Sequence, residues 1–144
     1  MFKKSLIFLS LIAAAASAKP VLTVYTYGGF NTEWGAGPGL KAEFEKVCDC
    51  EVKYAALDHG VMILNRLRME GEQNSADVVL GIDNTLMQAA LDTGLLAPSG
   101  VDTGKLKLPV AWDDKVFVPY DYGWFGFVYD KTRLKKPPHS LHEL

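Results

Sequence analysis

The chain has 144 residues, 49% of them hydrophobic and 22% charged, with a formal net charge of −2, so it can bury a core and carries no basic excess. That balance argues against nucleic acid as a partner. The lack of a polybasic cluster, internal repeat or low-complexity tract argues equally against a membrane-surface role and a solenoid.

In chain order, Lys3 and Lys4 form a short basic region, Leu6 to Ala16 an apolar run, and Ala16-Ser17-Ala18 a small-x-small cleavage site. This is the pattern of a secretory signal peptide over residues 1–18. Cleavage after Ala18 would leave a mature chain starting Lys19-Pro20 with no lipobox cysteine beside it, so an exported, soluble protein is expected. In an oxidising compartment the pair Cys48 and Cys50 favours a local disulfide over two free thiols, and Cys-x-Cys without further Cys or His nearby is too sparse for a zinc site.

Val21 to Tyr27 predicts a strand from its β-branched and aromatic content, ended by Gly28-Gly29. A loose stretch through Gly35-Ala36-Gly37-Pro38-Gly39 precedes a helix with apolar spacing at Leu40, Phe44 and Val47. Cys50 to Leu57 alternates as a second strand, followed by Asp58-His59-Gly60 and a helix whose inner face is Ile63, Leu64 and Leu67, closed by Gly71. Ala76 to Leu80 is a third strand, and Gly81-Ile82-Asp83-Asn84 leads into a helix through Leu86, Ala89, Ala90 and Leu91 that ends at Gly94.

Strand, glycine-bearing loop and helix, three times over, predicts an α/β fold with a parallel-rich sheet and helices on both faces. Ligands of such sheets bind beyond the carboxyl ends of the strands. The candidate contacts are therefore Tyr27 and Trp34 in the first loop, Asp58, His59 and Gly60 in the second, and Asp83 and Asn84 in the third. Asp58 and Asp83 read two ways, as helix N-caps worth about 0.5–2 kcal/mol each or as ligand contacts.

Residues 95–117 carry no regular element, although Asp113-Asp114 is turn-like and Trp112 suits a core filler. Val118 to Asp130 packs aromatics around Asp121 and reads as a buried strand, with Phe125, Phe127 and Tyr129 on its core face. Tyr120, Asp121 and Tyr122 stand at its entrance as a ring-lined, singly charged mouth suited to a cation or a flat heteroaromatic ring bearing one. Ser140 and Glu143 make a capping box, so the chain breaks off in the first turn of a helix, and a truncated protein is expected.

Four segments carry a family resemblance: Leu22 to Tyr27, Leu64 to Gly71, Ala76 to Asn84 and Pro119 to Gly123. With Tyr129-Asp130-Lys131 and Pro137-Pro138-His139-Ser140-Leu141, they make the chain similar to the N-terminal part of the periplasmic thiamine-binding proteins of Gram-negative ABC importers. The resemblance implies the first lobe of a type II periplasmic binding protein fold over residues 19–125, the start of a crossover over 126–144, and a second lobe that is largely missing. It also implies thiamine, thiamine monophosphate and thiamine diphosphate as ligands, an inner-membrane ABC permease as partner, a periplasmic location, and no cofactor beyond the transported ligand. The chain departs from the family pattern at Gly28-Gly29, where an Asp-Ser type pair is usual, and at His59, where an acidic residue is usual.

Two other readings compete. A receptor of the same fold for ferric ion, a polyamine or another small solute would need a different contact set, with Tyr120 and Tyr122 available to iron. A secreted enzyme would need a catalytic signature, and the sequence has no Gly-x-Ser-x-Gly, His-Glu-x-x-His or P-loop motif. No catalytic residue and no metal ligand is assigned.

Overall fold

The structure, a computed structural model, describes residues 18–124 and 126–143. The expected signal peptide lies outside the described residues up to residue 17, as does the predicted core residue Phe125. The described chain divides into two compact units between Ala97 and Pro98.

In the first unit, β1 (Val21–Tyr27) is the central strand of a three-stranded sheet of order β2-β1-β3. It pairs in parallel with β2 (Glu51–Leu57) along its whole length, from Val21 opposite Glu51 to Tyr27 opposite Leu57. On the other side it pairs in parallel with β3 (Val78–Val79), Val24 opposite Val78 and Tyr25 opposite Val79. The alternation of β1 divides the core in two. Val24 packs with Cys50 and Val52 on one face, while Tyr25 packs with Ile63 and Leu67 on the other.

The helix α2 (Gly60–Glu70) covers the Tyr25 face, and its buried residues Ile63, Leu64 and Leu67 are those the periodicity predicts. Its end is closed by Gly71 at φ +55°, where the N–H returns to the Leu67 carbonyl as a glycine C-cap does. The phenol of Tyr25, fully buried, ties the same face together. Its hydroxyl donates to Glu70 Oε2 at 2.6 Å, Arg66 Nε donates to Glu70 Oε1 at 2.7 Å, and the guanidinium sits 4.1 Å from the Tyr25 ring centroid.

The helix α1 (Ala36–Cys48) departs from expectation at both ends of the argument. It begins four residues earlier than the predicted Leu40, because Gly35 is an extended N-cap and Pro38 falls in the first turn, where its missing N–H costs no ladder bond. Its apolar stripe does not face the sheet: Leu40, Phe44 and Val47 are 51%, 47% and 79% exposed. Polar ties set the rotation instead. Tyr54 Oη donates to the Gly37 carbonyl, the Val52 N–H of the outer strand β2 donates to Glu45 Oε1 at 2.7 Å, and Cys48 is disulfide-bonded to Cys50. Gly37, Glu45 and Cys48 lie at i, i+8 and i+11, which centres the tied side about a quarter turn from the apolar stripe, with Phe44 at the boundary and Val47 farthest out.

The third repeat is shorter than predicted. The ladder of β3 is two residues long, flanked by Asp77, whose carboxylate accepts the Thr23 N–H at 2.8 Å while its own N–H donates to the Thr23 carbonyl. After it, α3 runs only from Met87 to Leu91, and the chain turns through Asp92 to Gly94 at φ +69°.

The second unit, described by itself, holds two single 3-10 turns, Thr103–Lys105 and Leu141–Glu143, and no strand among the described residues. Asp114 Oδ1 accepts the N–H groups of Val116 and Phe117, both at 2.7 Å, and the Trp112 indole N–H donates to the Phe117 carbonyl. The expected strand over Val118–Asp130 is therefore corrected: the described residues there form no ladder, and Phe127 and Tyr129, expected on its core face, are exposed. An aromatic alternation is a local signal, whereas a strand needs hydrogen-bonding neighbours, and among the described residues none pairs with this segment.

Candidate ligand-binding site

Three loops leave the carboxyl ends of the three parallel strands, and glycines bring them into contact. After β1, the 3-10 turn Gly28–Asn31 buries Phe30, whose ring meets Tyr27 edge-on at 6.0 Å and Tyr54 edge-on at 5.5 Å between centroids. Gly35 then packs on the Gly29 and Phe30 carbonyls, which holds the adjoining Trp34 at this end of the unit with its side chain 86% exposed.

After β2, Asp58 and His59 are exposed. The N-cap of α2 is His59, extended at φ −146° and ψ 163°, and no side chain caps the helix. Asp58 is thus not the N-cap that one reading of the sequence made it. The N–H groups of Met62 and Ile63 already donate to the His59 carbonyl, at 2.9 and 3.2 Å, so it is those of Gly60 and Val61 that precede the ladder, and the positive end of the helix macrodipole lies where the strands end.

After β3, Gly81 takes a φ of +107°, a region open to glycine, and Asp83 organises its own turn. Its Oδ1 accepts both the N–H and the hydroxyl of Thr85, at 2.9 and 2.6 Å. Asp83 is therefore a turn-former and not the N-cap that one reading of the sequence made it, since the N-cap of α3 is Leu86 and no side chain caps that helix. Asn84 beside it is exposed.

The three loops interlock through bare backbone. A Cβ on Gly60 would run into the Gly81 carbonyl oxygen, and a Cβ on Gly81 would stand 2.6 Å from Cδ1 of Tyr27. Tyr27 itself is half-buried and, like Ile82, Leu57 and Val79, packs against the Tyr25 core. Of the predicted contacts in this unit, the structure joins Tyr27, Gly60 and the loop bearing Asp83 and Asn84 directly, and sets Asp58, His59 and Trp34 on the same rim. Tyr120, Asp121 and Tyr122 belong to the second unit, on chain without regular secondary structure, all exposed.

Phe30 and Gly81 escaped the list of candidate residues. The signal for Phe30 is an aromatic placed directly after two glycines. For Gly81 it is a lone glycine at a strand end, the mark of close backbone approach. An open groove of about 510 Å³ lies at the other end of α2, lined by Arg68, Glu72, Asp92 and Thr93 among others, and shares no residue with this site. Among the described residues no group of three or more His, Cys, Asp or Glu side chains is placed to hold a metal ion.

Residues 32–140 match the family described as bacterial extracellular solute-binding protein. Over its whole length the chain is 58% identical to a protein of Salmonella typhimurium and 56% identical to one of Escherichia coli, each named thiamine-binding periplasmic protein, and it covers 44% of each. A Brucella suis protein of the same name is 52% identical over 92% of the chain, which covers 40% of it. A solved structure titled periplasmic thiamin binding protein superposes on 87% of the chain with a TM-score of 0.76 at 58% identity, and the chain covers 39% of it. The chain thus spans less than half the length of the relatives it matches.

Proposed function

The chain belongs to the bacterial extracellular solute-binding proteins, and from that premise we propose that it supplies one wall of a periplasmic site for thiamine and its phosphate esters. In this role it serves an ABC permease of the inner membrane as a binder, not as an enzyme. The observation that carries the reading is similarity along the entire chain to proteins named for thiamine binding. Those names favour thiamine over ferric ion or a polyamine.

The chemistry of the rim supports the same ligand. Thiamine joins a permanently cationic thiazolium to an aminopyrimidine, and aromatic faces near carboxylates suit both rings. Tyr27 and Trp34 supply rings, and Asp58 an exposed carboxylate without a capping duty. Asp83 contributes its second carboxylate oxygen and Asn84 an amide. Between Lys19 and Ala97 there are 11 acidic and 6 basic residues, a balance that draws a cation toward the unit. The backbone N–H groups of Gly60 and Val61, ahead of the α2 ladder, suit a phosphate ester, with His59 beside them. In the second unit, taken by itself, the exposed Tyr120, Asp121 and Tyr122 carry rings and a carboxylate of the same chemistry.

The test is a chimera in which residues 19–144 replace the matching segment of the Salmonella typhimurium relative. Tryptophan fluorescence is titrated with thiamine, thiamine monophosphate, spermidine and ferric citrate. Thiamine is expected to bind at least about 100-fold tighter than spermidine or ferric citrate, a difference near 2.7 kcal/mol. Equal affinities for the three solutes would remove the thiamine reading.

A further inference from the structure

The most constrained point of the rim is the Tyr27 ring, and what constrains it is glycine backbone on both edges. On one edge, a Cβ built on Gly29 would lie 3.7 Å from Cδ2 and Cε2, an ordinary contact. On the opposite edge, a Cβ on Gly81 would lie 2.6 Å from Cδ1 and 3.2 Å from Cε1, with Ile63 Cδ1 at 3.4 Å behind it. The ring therefore occupies the volume that any side chain at position 81 would need. The φ of +107° at Gly81 brings its backbone to that approach, and it is a conformation that a residue with a Cβ rarely adopts. Phe30, edge-on to the same ring, prevents it from swinging toward β1's 3-10 turn to make room.

We propose that Gly81 is a positioning residue for ligand specificity: by yielding its side-chain volume it fixes the Tyr27 ring as the wall on which the ligand stacks. The inference rests on the thiamine reading for the identity of the ligand, but the placement of the ring stands on geometry alone. Gly60, which meets the Gly81 carbonyl through its own bare Cα, locks the second loop to the third, so the ring and the start of α2 keep one spacing. A ring moved by even about 1 Å would misplace a stacking face that a rigid ligand cannot follow.

The experiment is a double-mutant cycle on the full chain with Gly81→Ala, Tyr27→Val and both together. Valine keeps the strand propensity but stops at Cγ, short of the ring carbons that meet Gly81. Two readouts are taken: NMR of the Tyr27 ring in the unliganded protein, and thiamine affinity by chemical-shift titration. Gly81→Ala is expected to move the Tyr27 ring resonances and to weaken thiamine about fivefold or more, yet to cost less than about twofold when Tyr27 is already valine. Equal cost in both backgrounds, or ring resonances that stay in place, would overturn the proposal. Should thiamine leave the wild-type spectrum unchanged, the ligand reading fails, and the unliganded ring resonances still decide whether Gly81 positions Tyr27. Should Gly81→Ala prevent folding, the double variant decides by circular dichroism: one that also stays unfolded overturns the proposal, and one that regains the fold supports it.

Discussion

Gly28 and Gly29 stand where the resemblance leads us to expect an Asp-Ser type pair, and the structure gives both positions room. A Cβ on either meets nothing closer than 3.7 Å, and neither has a φ in the left-handed region. Replacing them with Asp and Ser should therefore stabilise the chain by roughly 0.4–1 kcal/mol per site, by restricting the unfolded state. Urea denaturation checks this, and a loss of stability would mean the turn needs glycine after all. Asp121→Asn should weaken thiamine in the chimera by about 1.5–3 kcal/mol if its carboxylate meets the cation. The proper control is the exposed Asp113→Asn, since Asp77 holds the Thr23 N–H and its loss would disturb the sheet.

Glu70 carries a pH prediction. The hydroxyl of Tyr25, and after it Arg66, hold its carboxyl below the usual carboxylate range. With the folded value depressed, the unfolded chain binds the proton more readily, so this stabilisation is present above the unfolded value, about 4.3, and is lost as pH falls through the folded one. Thermal melting of Glu70→Gln should therefore fall less steeply than wild type below about pH 5. Parallel acid limbs would assign the acid sensitivity elsewhere.

At the level of elements, sequence and structure part where packing is not the deciding force. The helix α2 was legible because Ile63, Leu64 and Leu67 are both its periodic apolar set and its buried set. The parallel order of the strands and the three loops at their carboxyl ends were legible for a similar reason: alternation of strand and helix leaves few topologies. The rotation of α1 was not legible, since a hydrogen bond from Tyr54, an edge contact from Val52 and a disulfide have no periodicity to read. The aromatic run around Asp121 misled because its alternation says nothing about which strand would pair with it. An inverted mutational pattern on α1 follows. Phe44→Ala should cost less than about 1 kcal/mol, well short of the 3–5 kcal/mol of a core phenylalanine. Glu45→Ala, which leaves the Val52 N–H without its acceptor, should cost about 1–3 kcal/mol. Urea midpoints of the two variants decide it, and a costlier Phe44→Ala would return the apolar stripe to the core.

For the whole molecule, what matters is how much of a binding site one chain of this length can supply. The described chain gathers rings, carboxylates and backbone N–H groups at one end of a three-stranded sheet, while its relatives are more than twice as long. A small ligand held tightly usually loses about 70–90% of its surface to protein. Contacts from one rim leave much of that surface wet, so the chain by itself should bind thiamine in roughly the millimolar range, near −4 kcal/mol. The most direct test is a ¹⁵N-resolved NMR titration of residues 19–144 with thiamine. The predicted result is a saturable shift, with a Kd of about 1 mM or weaker, centred on Tyr27, the Trp34 indole, Asp58 to Gly60 and Gly81 to Asn84. Shifts confined to the groove around Arg68 and Asp92, or none while the chain remains folded, would contradict the account.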